Sequence, residues 1–224
     1  MITPDASSRV IASGPGPEID ALVEALAAGR PAAGTEALDP SFVQSIGEIV
    51  AAASGTVEVT LSGPLSYSTH RFTLSRGGTL RRSQGQSDTV EIAAFPTSAL
   101  PGALLRLTSI APVDPLGTDT VLELPEGSLT SLFHPESELR ESAWGAAIRA
   151  SHTLPDAERA EFERAEPRAA QLVRRRPEGD RTSRVLLLRG RYLIAAADSI
   201  DAVRGTDPTG ATRSLLTELL RPQA

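Results

Sequence analysis

Between Thr56 and Leu61 apolar and polar residues alternate one for one. Val57, Val59 and Leu61 share one face and Glu58 and Thr60 the other, which is the period of a half-solvated strand. Upstream of this stretch the period is helical. Ile19, Leu22, Val23 and Leu26 define one helix over about 18–28, stopped by Gly29. Phe42, Val43, Ile46, Ile49 and Val50 define a second, begun by Asp39 and Pro40 and ended by Gly55. Downstream, Tyr67 to Leu74, Thr79 to Ser83 and Asp88 to Phe95 read as strands, separated by Gly77-Gly78 and by the polar linker Gln84 to Ser87. Thr97 is placed to cap a helix running through Leu104, Leu105 and Leu107 to Ile110, with Pro101 near its first turn.

After the linker Ala111 to Gly117 the pattern starts again with a strand over Thr120 to Leu124, closed by Pro125. A short helix over Glu126 to Phe133 follows, then a longer one over Glu136 to Ser151 carrying Leu139, Ala143, Trp144, Ala147 and Ile148. Residues 156–176 are charged and read as helical, interrupted at Pro167. The segment from Ser183 to Arg221 predicts three strands and a closing helix: Val185 to Leu188 and Tyr192 to Ala197 joined through Gly190, then a short strand. Asp207 and Pro208 start the last helix, which carries Leu215, Leu216, Leu219 and Leu220 as a stripe. Laid beside each other, the stretches beginning at Glu91 and Ser199 share the order strand, capped turn and leucine-bearing helix. The chain thus reads as two related halves, about 18–112 and 118–222, behind a loose arm over 1–17 in which Val10 and Ile11 offer one edge strand.

Composition adds little chemistry. The 224 residues hold no cysteine, which excludes disulfides, thiolate metal sites and a cysteine nucleophile and favours a reducing compartment. No run approaches the ~20 apolar residues of a membrane helix, and the first residues lack the pattern of a signal peptide, so a soluble cytoplasmic protein is expected. The net charge of −6 disfavours nucleic acid as a partner. All 22 basic residues are arginine and asparagine is absent too, as GC-rich bacterial coding would give.

His70, His134 and His152 stand in no metal-ligand spacing, and no serine lies in a GxSxG elbow. Two prolines in Gly14-Pro15-Gly16-Pro17 remove the amides a phosphate cradle needs. Glu136, Glu138, Glu161, Glu163 and Glu166 read as solvated helix faces, and Arg174 to Arg176 as a helix end. No catalytic, metal or cofactor site is expected. Phe133, Trp144 and Phe162 are the large apolar residues with the fewest large neighbours; core packing is the ordinary reading, and a partner surface the alternative.

Four phrases carry a resemblance. LDPSFVQSIGEIVAAASGTVEVTLS (38–62), DTVEIAAFPTSALPGALLRLTSIAP (88–112), TVLELPEGSLTSLF (120–133) and GRYLIAAADSIDAVRGTDPTGATRSLLTELL (190–220) are similar to the EspG family, cytosolic chaperones of ESX (type VII) secretion in actinobacteria. The resemblance implies an α/β (α+β) fold of two quasi-symmetric halves, with a central, mainly antiparallel sheet flanked by helical bundles. It implies a protein partner, a PE–PPE heterodimer held at the tip of the PPE helices through the sheet and the C-terminal bundle, and no cofactor. By location alone, Arg76, Leu80 and Arg82 at the sheet edge and Trp144, Ile148 and Phe162 on the middle helices are the candidate contacts. The rival expectations are an adaptor or structural subunit of the same fold with another partner, and a small-molecule enzyme.

Overall fold

The structure, a computed structural model, describes residues 12–36, 38–175, 179–196 and 200–220. The chain divides into two compact units. One is drawn from the residues up to Glu58, Ser68–Leu104 and 175–180; the other from Val59–Tyr67, Leu105–Arg174 and the residues from Arg181 onward.

In the first unit β1 (Ala12–Pro15) leads into α1 (Gly16–Ala27) and α2 (Pro40–Ala51). Then come β2 (Gly55–Ser62), β3 (Tyr67–Leu74), β4 (Thr79–Gln84) and β5 (Thr89–Phe95), followed by the start of α3 (Leu100–Thr108). The strands lie in the order β1-β5-β4-β3-β2, with β1, β3, β4 and β5 paired antiparallel. Asp39 caps α2 by accepting from the Ser41 hydroxyl, from the Ser41 amide at 2.8 Å and from the Phe42 amide at 3.4 Å, and these bonds, the hydroxyl's first, hold its carboxyl below the usual range. Ile19 and Leu22 of α1 and Phe42, Ile46 and Ile49 of α2 pack with Leu80, Val90 and Ile92 into one core. Each such side chain is worth about 1.5–3 kcal/mol on burial, so this contact holds the helices to the sheet.

The second unit repeats the order of elements. β6 (Val121–Glu123), α4 (Ser128–Ser131) and α5 (Ser137–Ala150) are followed, after the inserted turn of α6 (Ala160–Glu163), by β7 (Arg168–Arg175) and β8 (Arg181–Leu188). β9 (Arg191–Ala195), β10 (Ala202–Thr206) and α7 (Pro208–Leu220) complete it. Its strands are ordered β2-β7-β8-β9-β10-β6, with the second half of β2 at one end. From β7 to β6 every pairing is antiparallel. Leu129, Leu132, Phe133, Ala143, Trp144 and Ala147 pack with Leu186, Leu188, Leu193 and Val203. From Ala12 and again from Val121, then, the chain runs strand, two helices, four strands, helix. Among the described residues no helix is long and apolar enough to cross a membrane.

Four sequence expectations give way. Residues 168–175, expected in a charged helix, form β7. Its arginines, alanines, glutamine and leucine favour a helix locally, but seven residues from Arg168 to Arg174 pair with β8 and bury Ala169, Ala170 and Leu172, and tertiary pairing outweighs propensity. The arm expected over 1–17 is ordered at its end, because Ala12–Pro15 pairs with β5; Val10 and Ile11 lie outside the described residues. Thr97 does not cap a helix. Its hydroxyl donates to the Ser75 carbonyl at 3.0 Å and accepts from Thr79, and a 3₁₀ turn over Thr97–Ala99 precedes α3. The alternation of β2 also fails past Val59, since Thr60 and Ser62 are buried.

The hairpin from β8 to β9 turns at Arg189 and Gly190, both at positive φ (49° and 67°), the two-residue geometry whose twist matches antiparallel strands. The Arg189 guanidinium is tied to Asp156 and, at 3.2 Å, to Glu163. Arg191, 5 % exposed, donates to the Pro115 carbonyl at 3.0 Å and to the Asp156 carbonyl, which fastens two long connections to the sheet.

Candidate protein-binding surface

The β2–β3 connection, Gly63 to Ser66, is a tight four-residue loop closed by the Gly63 amide donating to the Ser66 carbonyl at 2.9 Å. It carries Leu65 out of the fold at 87 % exposure, the highest of any large apolar residue among the described residues. Its flanks are anchored. On the β2 side the Ser62 hydroxyl donates to the Leu132 carbonyl and accepts from the Trp144 indole at 2.9 Å. On the β3 side the Tyr67 ring lies under the Arg140 guanidinium at 4.7 Å. Arg140 is itself buried, and it donates to the carbonyls of His134 (2.9 Å) and Pro135 (3.0 Å), so the hairpin and the turn leading into α5 brace one another.

The α5 side of this brace exposes Leu139, next to Arg140, at 45 %. Pro135, Glu136 and Glu138 around it are exposed. Leu65 on the loop tip and Leu139 on α5 are thus two exposed apolar side chains on elements joined through Arg140, the features from which a protein contact can be built. This surface is absent from the sequence reading. A lone leucine in SGPLS has no periodic partner, and the available signal was a large apolar residue in a stretch whose Gly, Pro and Ser otherwise spell a turn.

The six residues singled out by location fall in both units. In the first, Arg76 is exposed in the β3–β4 turn, Leu80 is buried in the core, and Arg82 makes a bidentate pair with Asp20 of α1 at 2.8 and 3.0 Å. In the second, Trp144 is 1 % exposed, while Ile148 and Phe162 are half-buried, the latter with Arg159 stacked at 5.5 Å. Leu80 and Trp144 are therefore packing residues, and Arg82 is a tie between helix and sheet.

His70, which stands in no metal-ligand spacing, has a defined environment. His70 is 8 % exposed, and its ring nitrogens lie 3.0 Å from the Ser68 hydroxyl and 2.9 Å from that of Ser83. Burial, and secondarily the Arg81 guanidinium, lowers its pKa to about 4. With both nitrogens bonded to hydroxyls in the strand core, it braces β3 against β4. Because the folded value lies below the ordinary 6.5, this contribution is complete above that pH and is lost as pH falls through about 4. Wild-type protein is expected to lose about 2 kcal/mol more stability between pH 7 and pH 4.5 than His70→Gln, in urea titrations. Equal losses would contradict the assignment. Among the described residues no cluster of His, Asp or Glu is arranged to hold a metal ion.

Two clefts open in the second unit. One, of about 210 Å³, lies under the end of α3 among Leu61, Leu107, Ile110, Val185 and Leu187. The other, of about 560 Å³, lies between α7 and the strands β8 to β10.

No protein-family model matches the chain, and no curated protein matches it by sequence. Among solved structures it is similar to the Mycobacterium tuberculosis type VII secretion system chaperone EspG5, determined in complex with a PE25–PPE41 dimer. The TM-score is 0.50 and the sequence identity 11 %, with 95 % of this chain and 98 % of that chain covered. The likeness is one of fold, and it extends over nearly the whole of both chains.

Proposed function

We propose that this chain is a cytoplasmic chaperone of EspG type, which binds a PE–PPE pair destined for type VII (ESX) secretion and keeps it soluble until export. The observation that carries this reading is the end-to-end likeness of fold to a chaperone whose structure was determined with such a pair bound. The braced hairpin supports it independently. An exported helical pair with an apolar tip needs a cover that is preformed and reversible, and Leu65 and Leu139 offer apolar contact on a scaffold that need not rearrange. The binding step is non-covalent and calls for no cofactor or catalytic group. Arg140 and Tyr67 then act as positioning residues, holding the loop at the angle from which Leu65 projects.

The test is co-expression of this chain with a PE–PPE pair that is insoluble alone. A stoichiometric soluble complex is expected. In the double variant Leu65→Asp, Leu139→Asp, affinity should fall at least tenfold, because charge would be buried where apolar contact was made. Its melting temperature should stay within a degree or two of wild type, since both side chains are exposed. A pair that stays insoluble, or a double variant that binds as well as wild type, would move the adaptor reading ahead.

A further inference from the structure

In β8, β9, β10 and β6 the residues Val185, Ile194, Arg204 and Val121 face one another in register, and a row across a sheet keeps to one face. Aliphatic side chains fill this row except at Arg204. Ile194 and Arg204 of this row line the 560 Å³ cleft, whose opposite wall is the polar side of α7, from Gly210 through Arg213 and Ser214 to Thr217. Thr118 and Thr206 add hydroxyls; among the described residues no carboxylate lines the cleft, and that of Asp207 beside it is held by the Gly210 amide. Arg184 also borders it, but its guanidinium is spent on Gln171 at 2.8 Å and on the Phe133 ring at 5.9 Å. Arg204 and Arg213 are exposed, and among the described residues neither has an acidic partner. In a chain of net charge −6, a groove whose described lining carries two exposed guanidiniums and hydroxyls but no carboxylate is a local inversion of the field.

We propose that this groove binds an acidic, extended peptide segment of a protein partner, with Arg204 and Arg213 receiving its carboxylates and the exposed threonine hydroxyls its backbone. The groove's wall from Gly210 to Thr217 is about 10 Å long at 1.5 Å rise per helical residue, the reach of roughly three extended residues. The planar guanidinium fork suits a carboxylate, and the exposed hydroxyls of Thr118, Thr182 and Thr217 suit peptide N–H and C=O groups, while those of Ser183 and Ser214 bond each other at 2.7 Å. Phosphate is disfavoured because the amide at the start of α7 that would cradle it, that of Gly210, already donates to the Asp207 carboxylate. The proposal does not rest on the chaperone reading, since the groove and the Leu65 hairpin share no residue.

Fluorescence anisotropy with a fluorescein-labelled octapeptide of alternating Glu and Ser, and with its Gln counterpart, tests it on the full chain. The Glu peptide should bind at least tenfold more tightly than the Gln peptide. Arg204→Gln with Arg213→Gln should remove that preference without lowering the melting temperature, and Arg30→Gln, at an exposed position in the other unit, should leave it unchanged. Equal binding of the two peptides, an unchanged preference in the double variant, or displacement of the Glu peptide by equimolar inorganic phosphate would each overturn the proposal.

Discussion

Trp144→Ala should lower the stability of the protein by about 4 kcal/mol, the scale of emptying a tryptophan-sized space in a packed core. Trp144 is 1 % exposed and sits with Leu129, Leu132, Leu186 and Leu193 in a core of the second unit. Its indole N–H also satisfies the buried Ser62 hydroxyl, which in turn holds Leu132. The substitution therefore removes packing and one link of a buried chain of hydrogen bonds. Trp144→Phe separates the two terms, keeping most of the packing and losing only the N–H, so it should cost about 1–2 kcal/mol. Urea titrations read both values. A Trp144→Ala protein of wild-type stability would mean that this ring is not core and would return it to the candidate contacts.

The second large effect is expected at Gly190. A Cβ built there would lie 2.1 Å from the Phe162 carbonyl oxygen and 2.4 Å from its carbon, and the residue stands at φ +67°. Gly190→Ala thus combines left-handed strain, about 1–2 kcal/mol, with a collision against backbone that cannot rotate away, and should cost about 3 kcal/mol or more. Gly29 supplies the control. It has nearly the same φ, +65°, with nothing within 4 Å of the added carbon, so Gly29→Ala should show the strain alone. The difference between the two losses measures how tightly the α6 turn is seated on the β8–β9 hairpin. Equal losses would mean that the turn moves aside freely.

How far these features can be read from the sequence depends on whether their cause is local. The capped start of α2, the hairpin glycine at 190 and the period-two run of β2 up to Val59 are local, and each lies where the pattern places it. β7 is not local: nothing within RAAQLVRR says strand, and only its pairing with β8 decides it. The half-to-half correspondence was visible as strand and leucine-bearing helix at Glu91 and Ser199, which are β5 with α3 and β10 with α7. The site was harder. Trp144 is conspicuous as a large apolar residue, and Leu80 is a candidate only by an expected sheet edge; large apolar residues are mostly core, β4 lies between β5 and β3, and the structure buries both side chains. Leu65 is not legible in the sequence because exposure on a loop has no period. Arg204 was passed over because the aliphatic row it interrupts runs across four strands and appears only once their register is known.

Hydrogen–deuterium exchange on the complex with a PE–PPE pair tests the central claim most directly, because it reports which backbone segments the partner covers. New protection is expected over residues 62–67 and 134–140, the hairpin and the turn braced by Arg140, with the β3–β4 turn around Arg76 unchanged. Protection around Arg76 in place of the hairpin, or none at either, would contradict the claim that Leu65 and Leu139 form the binding surface.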